Sequence, residues 1–284
     1  MRFSTFICAA LLIILTSQPR ATSQAFRGQT ENPIAVVVSN DHPRITLHEP
    51  VILTLHITNN SSKTAKVDLG RDRKENLLFS ITTPDGKELQ LPQLRKSGFS
   101  RIGKFEIAPG ESYSQHIVLN EWFDFKVAGT YHVVADLAKP VLLNGQIAGG
   151  QAAFQLPLQI GPRSAPTLAR RCQDLLNFIE SSNSYEHAAE SALALSYVND
   201  PVGVPFLEKA LEANRLVEPI AISGLERIGN SEAVAALIPA LKMTQNNAAI
   251  LARSALLRIE ARTQDPSLKD QIQRALDART NPDS

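Results

Sequence analysis

Cysteine, tryptophan, net charge and long apolar runs are all scarce in this chain. Two Cys in 284 residues cannot build a disulfide scaffold. Basic and acidic side chains number 29 and 28, which excludes a nucleic-acid binder driven by net charge. A balanced 20% charged fraction with 43% hydrophobic residues also excludes a disordered polyelectrolyte. The apolar run Phe6–Leu15 spans about half of a ~30 Å hydrocarbon core, and no later stretch reaches about 18 apolar residues, so no stable membrane insertion is expected. Gly-x-Ser-x-Gly, a Walker-type loop, Cys-x-x-Cys and a dinucleotide fingerprint are missing, so no cofactor is implied.

What is present begins with an address. Met1-Arg2-Phe3 precedes the apolar run, and Ser23-Gln24-Ala25 offers small residues at the cleavage positions. Residues 1–25 are therefore expected to be a signal peptide cut after Ala25, with Ala21 as a second site. The protein is expected to be exported, either periplasmic or extracellular. Cys172 then has no partner in its own chain, and burial on a helix is expected for it.

From residue 26 to 162 the pattern is of short alternating strands. Val51, Leu53, Leu55 and Ile57 alternate with Ile52, Thr54, His56 and Thr58. Asp85-Gly86, Pro109-Gly110 and Ala128-Gly129 punctuate further candidates where a turn needs a positive or fixed φ. Strands at a spacing of roughly 8–12 residues predict an antiparallel β-sandwich, immunoglobulin-like in the broad sense. Trp122, Phe123, Phe125, Tyr131 and Phe154 supply aromatic bulk for its core. The run Phe105 to Ser112, then Ile117 to Phe125, then Gly129-Thr130-Tyr131 resembles the small Ig-like domains of secreted bacterial proteins. It is also similar to pro-regions of deuterolysin-type metallopeptidases. That resemblance implies a fold and no catalysis, because His48-Glu49-Pro50 lacks the second His that a helical zinc motif requires.

The composition changes at Gly161-Pro162-Arg163-Ser164-Ala165-Pro166. Beyond it, Leu195, Val198, Asp200, Val204, Leu207, Ala210 and Leu211 superimpose on Leu225, Ile228, Asn230, Val234, Leu237, Ala240 and Leu241, every pair 30 positions apart. A third copy begins at Ala252, Leu256 and Ile259. Each copy predicts a helix pair: Glu218–Ile228 and Ser231–Lys242 in the second, with Ser231 as N-cap. Asp200-Pro201 and Asp265-Pro266 place Pro at the first helical position. Arg170–Ile179 is expected to be a leading helix. The copies resemble HEAT repeats of the short phycobilin-lyase-like kind, which implies a short α-solenoid over residues 165–284. The family's Val-Arg pair is replaced by Pro219-Ile220, which leaves its usual polar ladder without a source.

Candidate chemistry is sparse. His48, His56, His116 and His132 each fall opposite the apolar alternation and are expected on solvent faces; His42 lies in a turn and His187 on a helix. Asn59 and Asn60 each fit the N-glycan acceptor pattern, which turn geometry alone also explains. Two groups stand out as partner contacts. Arg95, Lys96, Phe99 and Arg101 form a basic stretch with an interleaved aromatic, and Phe206, Lys209 and Glu212 lie together on the second helix of the first copy. The sequence therefore predicts a non-catalytic exported scaffold that binds protein partners through helices and sandwich surface. The alternatives are an enzyme subunit, lyase- or hydrolase-like, and a protease-inhibitor-like or pro-region-like module.

Overall fold

A computed structural model describes residues 33–40, 42, 44–94, 103–148, 154–243 and 247–280. The expected signal segment with its cleavage site lies outside the described residues, as do Arg95, Lys96, Phe99 and Arg101. Among the described residues a β-rich part comes first and seven α-helices follow.

The strands are β1 (Ile34–Asn40), β2 (Ile45–Thr46), β3 (Ile52–Asn59), β4 (Ala65–Asp68), β5 (Leu77–Thr82) and β6 (Glu88–Gln90). They continue with β7 (Lys104–Ile107), β8 (Ser112–Val118), β9 (Gly129–Leu137), β10 (Leu142–Leu143), β11 (Gln146–Ile147) and β12 (Phe154–Gly161). They form three open sheets, ordered β1-β3-β8, β11-β10-β4-β7 and β2-β12-β9-β5-β6. All pairs are antiparallel except β2 with β12. The period-2 pattern of β3 is realised directly: Val51, Leu53, Leu55 and Ile57 are buried and His56 is exposed. Leu53 and Ile57 share one core with Phe79 and Ile81 of β5, Tyr131 and Val133 of β9, and Leu158 and Ile160 of β12. Trp122 meets the Phe79 ring edge-on at 4.9 Å, and Phe125 meets Tyr131 in the same way at 5.0 Å. Gly86 and Gly110 hold φ near +80°, as their turns require.

One expectation about the strands needs correction. His48 lies in the turn after β2 at φ 72°, not on a strand, because Thr46 and Glu49 close that turn through a backbone hydrogen bond. Asn59 is fully buried, with its Nδ2 donating to the carbonyls of Lys63 and Ile107. Its amide latches the corner where the β3–β8 ladder passes into β4–β7, so that amide is spent on structure.

The helices are α1 (Ala165–Ser181), α2 (Tyr185–Ser196), α3 (Val204–Ala213), α4 (Glu218–Ile228), α5 (Ser231–Ala240), α6 (Ala248–Arg262) and α7 (Pro266–Thr280). Leu168, Cys172, Leu175, Leu176 and Ile179 form the buried stripe of α1. Leu195, Leu225 and Leu256, equivalent in the three copies, are each wholly buried. Three caps recur. Asp200, Asn230 and Asp265 accept from the backbone N–H groups of Val202, Ala233 and Ser267 at 3.0, 2.8 and 2.9 Å. The cap of α5 is thus Asn230 and not Ser231, which is already helical. Helices α2, α4 and α6 pack in one row, and α1, α3, α5 and α7 in another.

Arginines fasten this row. Arg227 of α4 donates to the Ser196 carbonyl ending α2 and lies 3.9 Å from the Tyr197 ring. Arg262 of α6 donates to the Glu226 and Arg227 carbonyls ending α4. Arg258 grips the Glu226 carboxylate through two bonds of 2.6 Å. The three C-termini therefore lie along one edge, and the helices of this row run parallel.

Candidate functional site

The β-rich part and the helices meet through a shared apolar contact. Val118, the last residue of β8, is buried in the helical core, and Ile52 of β3 packs against the same core. Burying a Val side chain is worth about 1.5–3 kcal/mol, so this contact is a material fraction of the joint. Polar bonds surround it. Thr46 donates to the Pro162 carbonyl, and Arg163 grips Asp200 through bonds of 2.5 and 3.0 Å. His116 of β8 meets Glu190 of α2 at 3.3 Å.

Arg171 of α1 approaches Glu49 at 3.9 Å with both groups largely buried. That separation is too long for a hydrogen bond, so desolvation dominates at Glu49. Burial raises its carboxyl above the ordinary range, against the opposing pull of the Thr46 N–H and the Arg171 charge. Asp200 behaves oppositely: the Arg163 hydrogen bond holds it below the usual carboxylate range. The Cys172 thiol is pushed up to about 12 by burial, with the Asp200 and Glu49 charges adding to the shift. It is buried on α1 as its sequence context predicts, and a thiol so raised is a poor nucleophile.

Beside this joint lies a cleft of about 360 Å³. Ile52, Val118, Leu175 and Leu193 give it an apolar wall, and Phe178 at its side is 63% exposed. His42, His116 and His187 line it together with Lys74, Arg171 and Glu190. Lys74 also holds the nearly buried Glu121 at 2.5 Å. Half of the chain's six His residues thus gather in one place. His116 does sit on the exposed face of β8, yet that face looks toward α2. Among the described residues, no group of three or more His, Cys, Asp or Glu side chains converges to hold a metal. The arrangement suits an apolar group with polar atoms at its margin.

Of the residues singled out in the sequence, Phe206 is half-buried against the helical core, whereas Lys209 and Glu212 are exposed on the same helix, α3. None of the three lines the cleft. The cleft residues carried no sequence signal, because His116 and Glu190 are 74 positions apart and neither belongs to a motif.

Solved structures similar to this chain resemble it only distantly. A β-glucosidase from Listeria innocua is 12% identical over 47% of this chain and 17% of its own length, with a TM-score of 0.26. The sporulation control protein Spo0M from Bacillus subtilis is 14% identical over 51% of this chain and 55% of its own, with a TM-score of 0.28. A PapD-like domain of human CEP192 is 12% identical over 57% and 97%, with a TM-score of 0.23. Scores this low carry no argument about fold or activity. No curated protein matches the chain significantly. The informative comparison is with a protein family: residues 42–160, the β-rich part from just after β1, match the family model of the flagellar collar protein C N-terminal domain. A flagellar collar is a cell-associated structure, so this match corrects the placement expected from the sequence: it gives no support to an extracellular protein and points instead to a periplasmic or cell-body-associated one.

Proposed function

We propose that this chain is a non-enzymatic structural subunit of a flagellar assembly, a scaffold that works by binding other proteins. The observation that carries the reading is the family match over residues 42–160. In finer detail, the β-rich part is read as an Ig-like sandwich over residues 26–162, supported by three sheets sharing one core. The remainder, residues 165–284, is read as a HEAT-like α-solenoid, supported by two rows of helices and a 30-residue repeat of buried positions. Partner contacts are assigned to Phe206, Lys209 and Glu212 on α3, and to the basic stretch Arg95, Lys96, Phe99 and Arg101, which lies outside the described residues.

The test is to isolate flagellar basal structures from cells carrying a tagged full-length chain, beside an isogenic strain that assembles no flagella. The expected result is co-isolation only when flagella are present, with the tag located around the motor by electron cryotomography. Recovery of the chain in the same fraction from both strains sinks the proposal.

A further inference from the structure

Exposed large apolar side chains are not scattered over the helices. Tyr185 is the first residue of α2, Leu216 lies two residues before α4, and Ile250 sits in the first turn of α6. They are 54%, 58% and 62% exposed. Phe178, in the last turn of α1 just before α2, adds a fourth at the cleft. Because the arginine contacts hold the C-termini of α2, α4 and α6 along one edge, the starts of these parallel helices lie along the opposite edge. Single exposed apolar residues are ordinary, but one at the start of each helix of a row makes a line. Leu216 is also fixed in place, since its backbone N–H donates to the Asn214 carboxamide oxygen at 3.0 Å.

We propose that this edge docks an amphipathic α-helix of a protein partner, laid across the starts of α2, α4 and α6. The inference rests on the structural-subunit reading and names the kind of partner. Packed helix axes stand about 8–10 Å apart, so neighbouring apolar knobs are separated by roughly that distance. An α-helix returns to the same face after seven residues, a rise of about 10.5 Å. An extended strand cannot match the line as well, because three residues cover about 10 Å but end on the opposite face. A polyproline helix has a fitting rise, but its grooves are walled by aromatics, and two of the three knobs here are aliphatic. Charge supports the same occupant. Exposed Glu180 and Glu186 lie close in sequence to the first knob, exposed Arg215 and Glu212 to the second, and exposed Arg253 stands one helical turn from the third on α6. The complementary helix is therefore basic at one end, acidic at the other, and carries an apolar residue once per heptad.

The test uses full-length protein and a fluorescent synthetic helix of about 21 residues, with leucine at every seventh position, a lysine-rich end and a glutamate-rich end. A control peptide of equal composition places the leucines five apart, which distributes them around the helix. Fluorescence anisotropy should show the matched peptide binding at least about tenfold tighter than the control. The triple variant Tyr185→Ser, Leu216→Ser, Ile250→Ser should lose that difference while keeping its far-UV circular dichroism melt. Leu257→Ser, an exposed residue farther along α6, should keep it. Equal binding of both peptides, or undiminished binding by the triple variant, overturns the proposal. So does a self-association or an affinity for anionic phosphatidylglycerol vesicles that the triple variant abolishes, since the edge would then serve a second copy or a lipid. If the triple variant still co-isolates with flagella, only the docking inference fails. If the wild-type chain does not co-isolate, the structural-subunit reading fails, whatever the peptides do.

Discussion

Asp200 serves two ends with one carboxylate, capping the turn that leads into α3 and gripping Arg163 at the joint. Its Ala variant should lower the unfolding free energy by about 1 kcal/mol from the lost cap alone, measured by urea denaturation at neutral pH. The sign of the pH effect follows from the depressed pKa. The contribution is whole above the unfolded value of 3.8 and is lost as pH falls through the lower folded value, so wild type and variant should converge in acid. Cys172 gives a second residue-scale prediction. Native protein at pH 8 should not react with a thiol-specific disulfide reagent, and should react once unfolded in urea, because burial keeps the thiol protonated up to about 12. Rapid labelling of the folded chain would contradict the buried position. The Asp200 cap and the burial of Cys172 were legible in the sequence, since Asp-Pro marks a helix start and a lone Cys between apolar helix positions suggests a core, whereas the Arg163 grip was not. The choice of Asn230 over Ser231 was not, because both side chains can cap and only the helix phase decides. The gathering of His42, His116 and His187 was equally hidden, being a product of the joint and of no local pattern.

Among the helices, α4 packs against four others, α2, α3, α5 and α6. A Cβ at Gly224 would come within 2.8 Å of the Ser196 backbone and of a Leu207 methyl, so α4 lies directly against the end of α2 and against α3. Gly224→Ala should therefore destabilise by about 1–2 kcal/mol in spite of alanine's better helix propensity, as overpacking exceeds that gain. A stabilised variant in thermal melts would show the contact to be looser. The helices themselves could be read from the sequence because 30-residue spacing repeats the same buried leucines. The arginine fastenings could not, since Arg227 and Arg262 stand at different repeat positions and reach carbonyls that no sequence pattern marks.

For the whole molecule, the joint decides whether two parts unfold as one. The sole tryptophan, Trp122, reports on the β-rich core, whereas far-UV circular dichroism is dominated by the helices. With Val118 buried in the helical core, both probes should give the same urea midpoint. Val118→Asp places a charge in that contact and should separate the two transitions, the helical one moving to lower urea. Coincident transitions in the variant would mean that the surrounding ion pairs alone couple the parts. The order of strands then helices was plain in the sequence; the sheet-to-helix contact was not, because it joins residues far apart in the chain.

The seating of the first helices on β8 has a consequence for growth. A stack of helix pairs is ordinarily free to lengthen at either terminus, or to abut a copy of itself and run on as a fibre. Here Val118 and Ile52 of the sheet cover the first helix pair, so a second copy cannot stack its helices end-on at that side, and any association between copies there must use flanks instead.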